Sequence, residues 1–520
     1  MENSQKLGKK NVICIVLFGL FGQIAWCIEN SFLNLYVYRT VTTNLSVVSA
    51  MVASSAVIAT VTSIIMGWVT DRVGKRRPFM TYGYMIWGVS VMIFSIFTIK
   101  NMQGAFGVDR DTAIILASVG IVIMDCLMTF FGSTANDACF NAWVTDNTNK
   151  SNRGKIEALL SVLAIVAYLM IFVPFEAGGI TTTKYYDALG NQVTSAVPGG
   201  TSVLGNWTLF YCLIGGLMIV AGFVGIFLLK DVPSLKPKKD MPFKELFYGF
   251  KPKVIKRNKY LFLTLTTLTI SLIANNCYSN YLIIYLQNTL KCDDFIPGLG
   301  YLLPMGIIYG LSAIAGIITG IFIDKKAKKT QFLIPGVIAS SCGAIMMFFF
   351  SPMFMNIGAP MLILFCIGAF IQAIGSSMIS VVCLATVRNL TPPDKAGQFQ
   401  GVRMVFAVML PMCIGSVVSG AISSSDKYII GMDEYGHAIY TCPPIMFLLT
   451  AIVVLFAIIT IIPLLKAKPE QLLIPAEGAS PIAESTLTEI EADGIDTVID
   501  GKELVTDKSN NNQNNDELLN

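Results

Sequence analysis

Histidine is nearly missing from this chain: His437 is the only one in 520 residues, and it falls in a polar loop. A lone loop imidazole has no second base or metal ligand beside it, so it carries no catalytic reading. No glycine-rich run closes on Gly-Lys-Ser/Thr, which excludes a phosphate-cradling loop and hence direct drive by ATP. The 12 cysteines stand mostly singly inside apolar runs, as at Cys14, Cys27, Cys126, Cys212, Cys342, Cys383 and Cys413. Neither metal-ligand spacing nor a disulfide framework emerges from them, and they read as small packing residues. Charge is scarce as well. Charged residues make up 13% against 54% hydrophobic, and this excludes a soluble multidomain protein of such length. No enzyme activity, metal, cofactor or nucleic-acid partner is expected.

What fills the chain instead is hydrocarbon-length sequence. Apolar segments lie at about 12–38, 45–69, 79–99, 112–143, 156–178 and 206–229, then at about 259–289, 296–323, 331–351, 357–388, 398–423 and 441–465. Each can cross a core of about 30 Å as a helix, and none shows the period-two alternation of a membrane barrel. The expected fold is an all-α integral membrane protein, with about twelve transmembrane helices in two six-helix bundles. The lysines ahead of the first segment resemble a signal peptide, but the apolar run continues to Tyr38 without a cleavage site and reads as an uncleaved span.

Alternate connections carry the basic residues: Lys6, Lys9 and Lys10; Arg72 to Arg77; Lys150, Arg153 and Lys155; Lys325 to Lys329; Arg388 and Lys395. Basic loops stay on the cytoplasmic side, so both termini are expected there, in a cell-membrane protein. The organisation expected is a cytoplasmic N-terminus at 1–11, a bundle at 12–229, a basic linker at 230–258, a second bundle at 259–466 and an acidic, disordered tail at 467–520. The linker is rich in Lys and Pro and has a face able to touch anionic lipid.

The halves repeat. Gly67-Trp-Val-Thr-Asp71-Arg72 closes the second span and Gly320-Ile-Phe-Ile-Asp324-Lys325 the eighth. Glu29-Asn30-Ser31-Phe32-Leu33-Asn34 in the first span parallels Asn275-Asn276-Cys277-Tyr278-Ser279-Asn280 in the seventh, and Gly154 to Glu157 has a looser echo in Gly397 to Gln400. Pairs in one order at nearly constant offset point to parallel duplication of a six-helix unit, with a site near the midplane between the halves.

The stretch GWVTDRVGKRRP, Gly67 to Pro78, resembles the loop motif after the second helix of the major facilitator superfamily, and GIFIDKKAKK is a weaker second copy. The resemblance spans about 12–466. Within that superfamily the fourth-span exit (TANDACFNAWVTDNTNKSNRGKIEALLSV) and the entry to span eleven (TPPDKAGQFQGVRMVFAVMLP) are similar to the glycoside-pentoside-hexuronide:cation symporters, the melibiose-permease group. That resemblance implies cation-coupled sugar transport by a monomer that rocks about a central site. It also implies paired aspartates on the second helix, where this chain holds Ala59 and Ser63, and a lysine on helix eleven that is missing here. Coupling through the helix-two site is therefore not expected, and a proton is favoured over sodium.

A charge inside hydrocarbon costs at least about 2.5–3.5 kcal/mol, which makes each buried ionisable group a functional candidate. Glu29 lies mid-span with Trp26 one turn before it and Asn30 beside it. A ring that stacks on sugar C–H surface, next to a carboxylate that accepts hydroxyl hydrogen bonds, suits a polyol site. Glu29 could equally carry a coupling proton, or pair structurally with a buried arginine. Asp125 and Asp137 share the fourth span. Twelve residues at about 100° each put them about 120° apart, so they are not expected to share one small site. One can face the cavity while the other meets a neighbouring helix. Each reads either as a structural pair or as a functional group, both as coupling candidates and Asp137 also as a substrate ligand. Asn141 lies near Asp137. Asn275, Asn276, Tyr278 and Asn280 read as a neutral hydrogen-bonding wall, with Gln372 a further lining residue and Arg403 either a partner for a buried acid or a snorkelling surface residue. Gly67, Asp71, Arg72, Gly74, Arg76, Arg153 and Asp324 form the expected gate, Asp71 pairing with Arg153 when the cavity opens outward. Two other functions fit the same features: export of a drug or metabolite by proton antiport, and a lipid-moving or sensor protein with this architecture.

Overall fold

In a computed structural model of the full chain, the described residues are 9–148, parts of 156–171, 180–186, 192–198, 207–231, 237, 242–292, parts of 302–318, 329–391, 396–433 and 438–472. Among them are ten helices long and apolar enough to cross a membrane: α1 (Lys9–Thr40), α2 (Leu45–Val73), α3 (Arg77–Ile96), α4 (Arg110–Asn147), α5 (Trp207–Leu228), α6 (Lys259–Gln287), α7 (Thr330–Phe349), α8 (Ala359–Leu390), α9 (Gly401–Ser423) and α10 (Ile445–Lys466). They coincide with ten of the twelve apolar segments. The other two, at 156–178 and 296–323, lie partly outside the described residues, and the acidic tail almost wholly so.

Local chemistry sets the ends of these helices. Asn44 starts α2 by accepting from the Ser46 backbone N–H at 3.0 Å, and Asp109 starts α4 by accepting from that of Thr112 at 3.1 Å. Gly74 ends α2 in the left-handed region, φ 69°, where its N–H returns to the Thr70 carbonyl. Lipid supplies no hydrophobic drive between helices, so close packing must hold them. Accordingly α3 meets α5 through Gly88 and Gly215, and α7 meets α8 through Gly336, Gly343, Gly368 and Gly375.

The segments 1–229 and 259–466 meet along α2 and α9. At the end away from the basic turn of Gly67–Pro78, here the far end, several hydrogen bonds join them. Asn34 Nδ2 donates to the Asn280 carbonyl at 3.2 Å, Arg39 to Gln287 Oε1 at 2.5 Å and the Ser46 N–H to Ser424 Oγ at 2.9 Å. Ser49 and Tyr281 share a hydroxyl contact of 2.7 Å.

Strands cover this same end. β1 (Ile180–Tyr186), β2 (Gln192–Pro198), β3 (Ile429–Asp433) and β4 (Ala438–Tyr440) form one antiparallel sheet in the order β2-β1-β3-β4. Tyr185 pairs with Asp433 and Tyr186 with Met432, so two loops distant in sequence are hydrogen-bonded to each other. Tyr38 Oη and Thr43 Oγ1 hold β4 by donating to the Tyr440 and Ala438 carbonyls, at 2.7 and 3.1 Å. The Thr- and Gly-rich stretch at 181–201 thus contains strands. Its β-branched Thr and Val suit a pleated backbone.

Candidate functional site

Two interruptions in helical geometry build the site. Within α1 the turn Ile28–Leu33 is π-helical, and within α4 so is Ser133–Phe140. A π turn releases the ordinary i→i−4 register, widens the helix and turns side chains out of their α-helical phase. Asn30 and Asn34 brace the first interruption, donating to the Trp26 and Asn30 carbonyls at 2.8 and 3.0 Å.

Glu29 sits on the first π turn and is 7% exposed. Thr129 of α4 donates to its Oε1 at 2.9 Å, while Oε2 is buried and has no hydrogen-bond partner among the described residues. Asp125 and Asp137, both acidic, lie near enough for their charges to act on Glu29. Asp125 is 1% exposed, lies beside the Ser55 hydroxyl of α2 and keeps Oδ1 without a hydrogen bond among the described residues. Asp137, half-buried on the second π turn, accepts from Ser133 Oγ at 2.9 Å. The straight-helix separation of about 120° does not carry across this stretch, because the π turn begins between the two aspartates. Glu29 is thus under the electrostatic influence of two further carboxylates, an arrangement that a proton or cation would relieve.

Trp26 packs its ring 5.1 Å from that of Trp87 on α3 and is itself only partly buried. Trp87 in turn lies 5.5 Å from Tyr84, and its buried Nε1 has no hydrogen-bond partner among the described residues. Asn141 is exposed and donates to the Asp137 backbone carbonyl at 3.2 Å. In the second half, Tyr278 Oη of α6 lies 2.8 Å from Gln372 Oε1 of α8 and 3.2 Å from Asn275 Oδ1. One hydroxyl proton cannot fully serve two carbonyl oxygens, so this trio retains acceptor capacity.

The neighbouring amides do other work. Asn276 bonds back to the Leu272 carbonyl at 2.9 Å and packs against Gly415 of α9. Asn280 donates to Ser416 Oγ at 2.7 Å and belongs to the far-end closure. Arg403 is exposed. Thr129, Ser133 and Ser55 are functional neighbours that sequence reasoning missed. The first two stand four residues after Asp125 and four before Asp137, a one-face helical spacing that offered a signal.

The basic turn centres on Arg76, which is 5% exposed. Its guanidinium pairs with Asp71 and the Thr70 hydroxyl, and its Nε lies 3.4 Å from Asp146 at the end of α4. Asp231, just past α5, accepts from the Arg76 and Arg77 backbone N–H groups at 2.9 Å each. Asp71 thus meets the planar fork of Arg76, five residues away along the same turn. Arg153 itself and Asp324 lie outside the described residues. Arg72 turns outward over the Trp68 ring at 5.1 Å. Gly74 abuts Pro237, and a side chain at Gly67 would meet nothing within 4 Å.

A family model, Major Facilitator Superfamily, matches residues 12–368. None of the curated proteins matches the chain. Among solved structures, a point mutant of the nucleoside transporter NupG superposes with a TM-score of 0.60 at 12% identity, over 88% of this chain and 100% of its own. A D-xylose-proton symporter gives 0.59 at 14% identity, over 90% and 98%. A bacterial homolog of the human lysosomal transporter Spinster, inward-facing and occupied, gives 0.60 at 11% identity, over 90% and 99%.

Proposed function

The chain belongs to the Major Facilitator Superfamily, and on that footing we propose that it is a proton-coupled symporter of a sugar, glycoside or related polyol, of the glycoside-pentoside-hexuronide:cation type. The observation that carries this is Glu29, buried with one oxygen lacking a hydrogen bond among the described residues and with the acidic charges of Asp125 and Asp137 acting on it. Such a group is held in place to exchange a proton or cation as its surroundings change. Beside it the partly exposed Trp26 ring supplies a stacking face, and Asn275, Tyr278 and Gln372 supply hydroxyl partners across the bundle. Protons are preferred to sodium because Ala59 and Ser63 stand on α2 where the group's paired aspartates would be. At identities of 11–14% the structural neighbours speak for the fold alone.

In this reading the basic end is cytoplasmic, in the cell membrane, and Asp71, Arg72, Gly74, Arg76, Arg153 and Asp324 belong to the gate there. The three carboxylates also suit a cationic solute exported against protons, which is the second reading. Purified protein in liposomes, offered radiolabelled pentoses, hexoses and glycosides under an inward proton gradient, tests the first. Accumulation that collapses with the gradient supports symport. Flux indifferent to both proton and sodium gradients rejects it, and efflux of organic cations in its place would establish the antiport.

A further inference from the structure

The linker between α5 and α6 holds a feature that transport leaves unused. It carries nine basic residues against three acidic ones between Lys230 and Asn258. Its ends are Leu228 of α5 and Lys259 of α6, two membrane-spanning helices, so the segment is held at one membrane surface. Trp143 of α4 fixes its start by donating to the Lys230 carbonyl at 2.9 Å.

From Phe243 to Phe250 the linker is 3₁₀-helical, and from Pro252 to Arg257 it is α-helical. Leu246, Gly249 and Val254 face inward and are buried. Outward stand two phenyl rings, Phe243 and Phe247, 45% and 50% exposed with centroids 5.8 Å apart. Lys244, Lys251, Lys253, Lys256 and Arg257 are exposed along the same connection. Aromatic rings beyond the end of a span, interleaved with cations, are the pattern of an element seated in the headgroup layer: the rings enter the acyl boundary and the cations meet phosphate. The 3₁₀ segment also touches both α2 and the approach to α9 at the basic end. Phe243 lies 5.5 Å from Trp68 of α2, and the segment packs on residues Ala396–Met404, which lead into α9.

We propose that residues 243–257 form a docking surface for anionic phospholipid of the leaflet at the basic end, and that this lipid holds the linker between α2 and the start of α9. The proposal needs only the membrane-spanning architecture, so it stands or falls apart from the transport reading.

Amide hydrogen exchange on the full chain in nanodiscs tests it. Exchange across 243–257 should be several-fold slower with phosphatidylglycerol present than in phosphatidylcholine alone, and raised salt should shrink the difference. Replacing Lys251, Lys253, Lys256 and Arg257 together by Gln should abolish it, while Phe243→Ser with Phe247→Ser should speed exchange in both lipids. Equal exchange of the unmodified protein in the two lipid compositions overturns the proposal without reference to any variant. Protection reproduced in phosphatidylcholine by soluble glycerol phosphate also overturns it, in favour of a free-anion site.

Discussion

Ser49 and Gly420 meet with no space between them: a Cβ on Gly420 would fall 1.5 Å from Ser49 Oγ and 2.7 Å from Ser49 Cβ. The serine cannot simply rotate away, since its hydroxyl donates to the Leu45 carbonyl and contacts Tyr281 Oη at 2.7 Å. This pair is a point of direct contact between α2 and α9 at the far end, and it makes Gly420 the gauge of that closure. Gly420→Ala should push the helices apart at an overpacking cost of about 1–3 kcal/mol. Hydrogen exchange should then accelerate several-fold in 34–49 and 416–424 relative to the rest of the chain; unchanged exchange would mean the contact does not hold this end shut.

Glu29→Gln keeps the side-chain shape and an oxygen for the Thr129 hydroxyl but cannot gain or lose a proton. Gradient-driven accumulation of the transported solute should fall at least tenfold, whereas exchange between equal pools on the two sides should continue. Thermal stability should hold or rise, because a buried carboxyl oxygen without a hydrogen bond among the described residues is traded for an uncharged amide. Retained accumulation would shift the coupling role to Asp125 or Asp137, to be resolved with Asp125→Asn and Asp137→Asn.

Arg76 is the cation common to Asp71, Asp146 and Thr70. Removing one member of a fully buried ion pair costs about 3–5 kcal/mol. Here Asp71 and Asp146 are each 26% exposed, and water screens part of that loss. Arg76→Ala should therefore cost about 1–3 kcal/mol, with Arg76→Lys intermediate because it keeps charge but not the fork. Thermal midpoints in detergent ordered otherwise would place the hub elsewhere. Gly74→Ala should also destabilise, by about 1 kcal/mol or more, since φ 69° disfavours a Cβ that would in addition meet Pro237.

At the mouth of α4, hydrogen bonds from the Thr112 hydroxyl and backbone N–H hold the Asp109 carboxyl below its ordinary value of 3.8. A value depressed on folding stabilises above the unfolded value and ceases to do so as pH falls through the folded one. Asp109→Ala should thus lower the thermal midpoint at neutral pH, and the gap from the unmodified protein should narrow as the solution is acidified past that range. A gap independent of pH would show that the contribution is packing rather than charge.

The family and the membrane-spanning character were legible in apolar runs and in Gly67–Pro78, because the cost of placing backbone polar groups in lipid leaves a helix little alternative to crossing whole. Glu29, Asp125 and Asp137 stood out for the same reason, as charges in the wrong medium. Which groups these acids face was not legible. The phase of α1 and α4 changes at two π turns that side-chain periodicity does not mark, and only the folded helices place the Thr129 hydroxyl on Glu29. The pairing of Arg76 with Asp71 follows from the path of one tight turn, which spacing alone leaves open. So does the far-end sheet, whose pairing of Tyr185 with Asp433 joins residues with no local relation. Sequence determined the medium, the number and extent of most spans and the short list of costly buried charges; tertiary structure decided which of those charges meet, because contacts between helices depend on register and phase accumulated over whole spans.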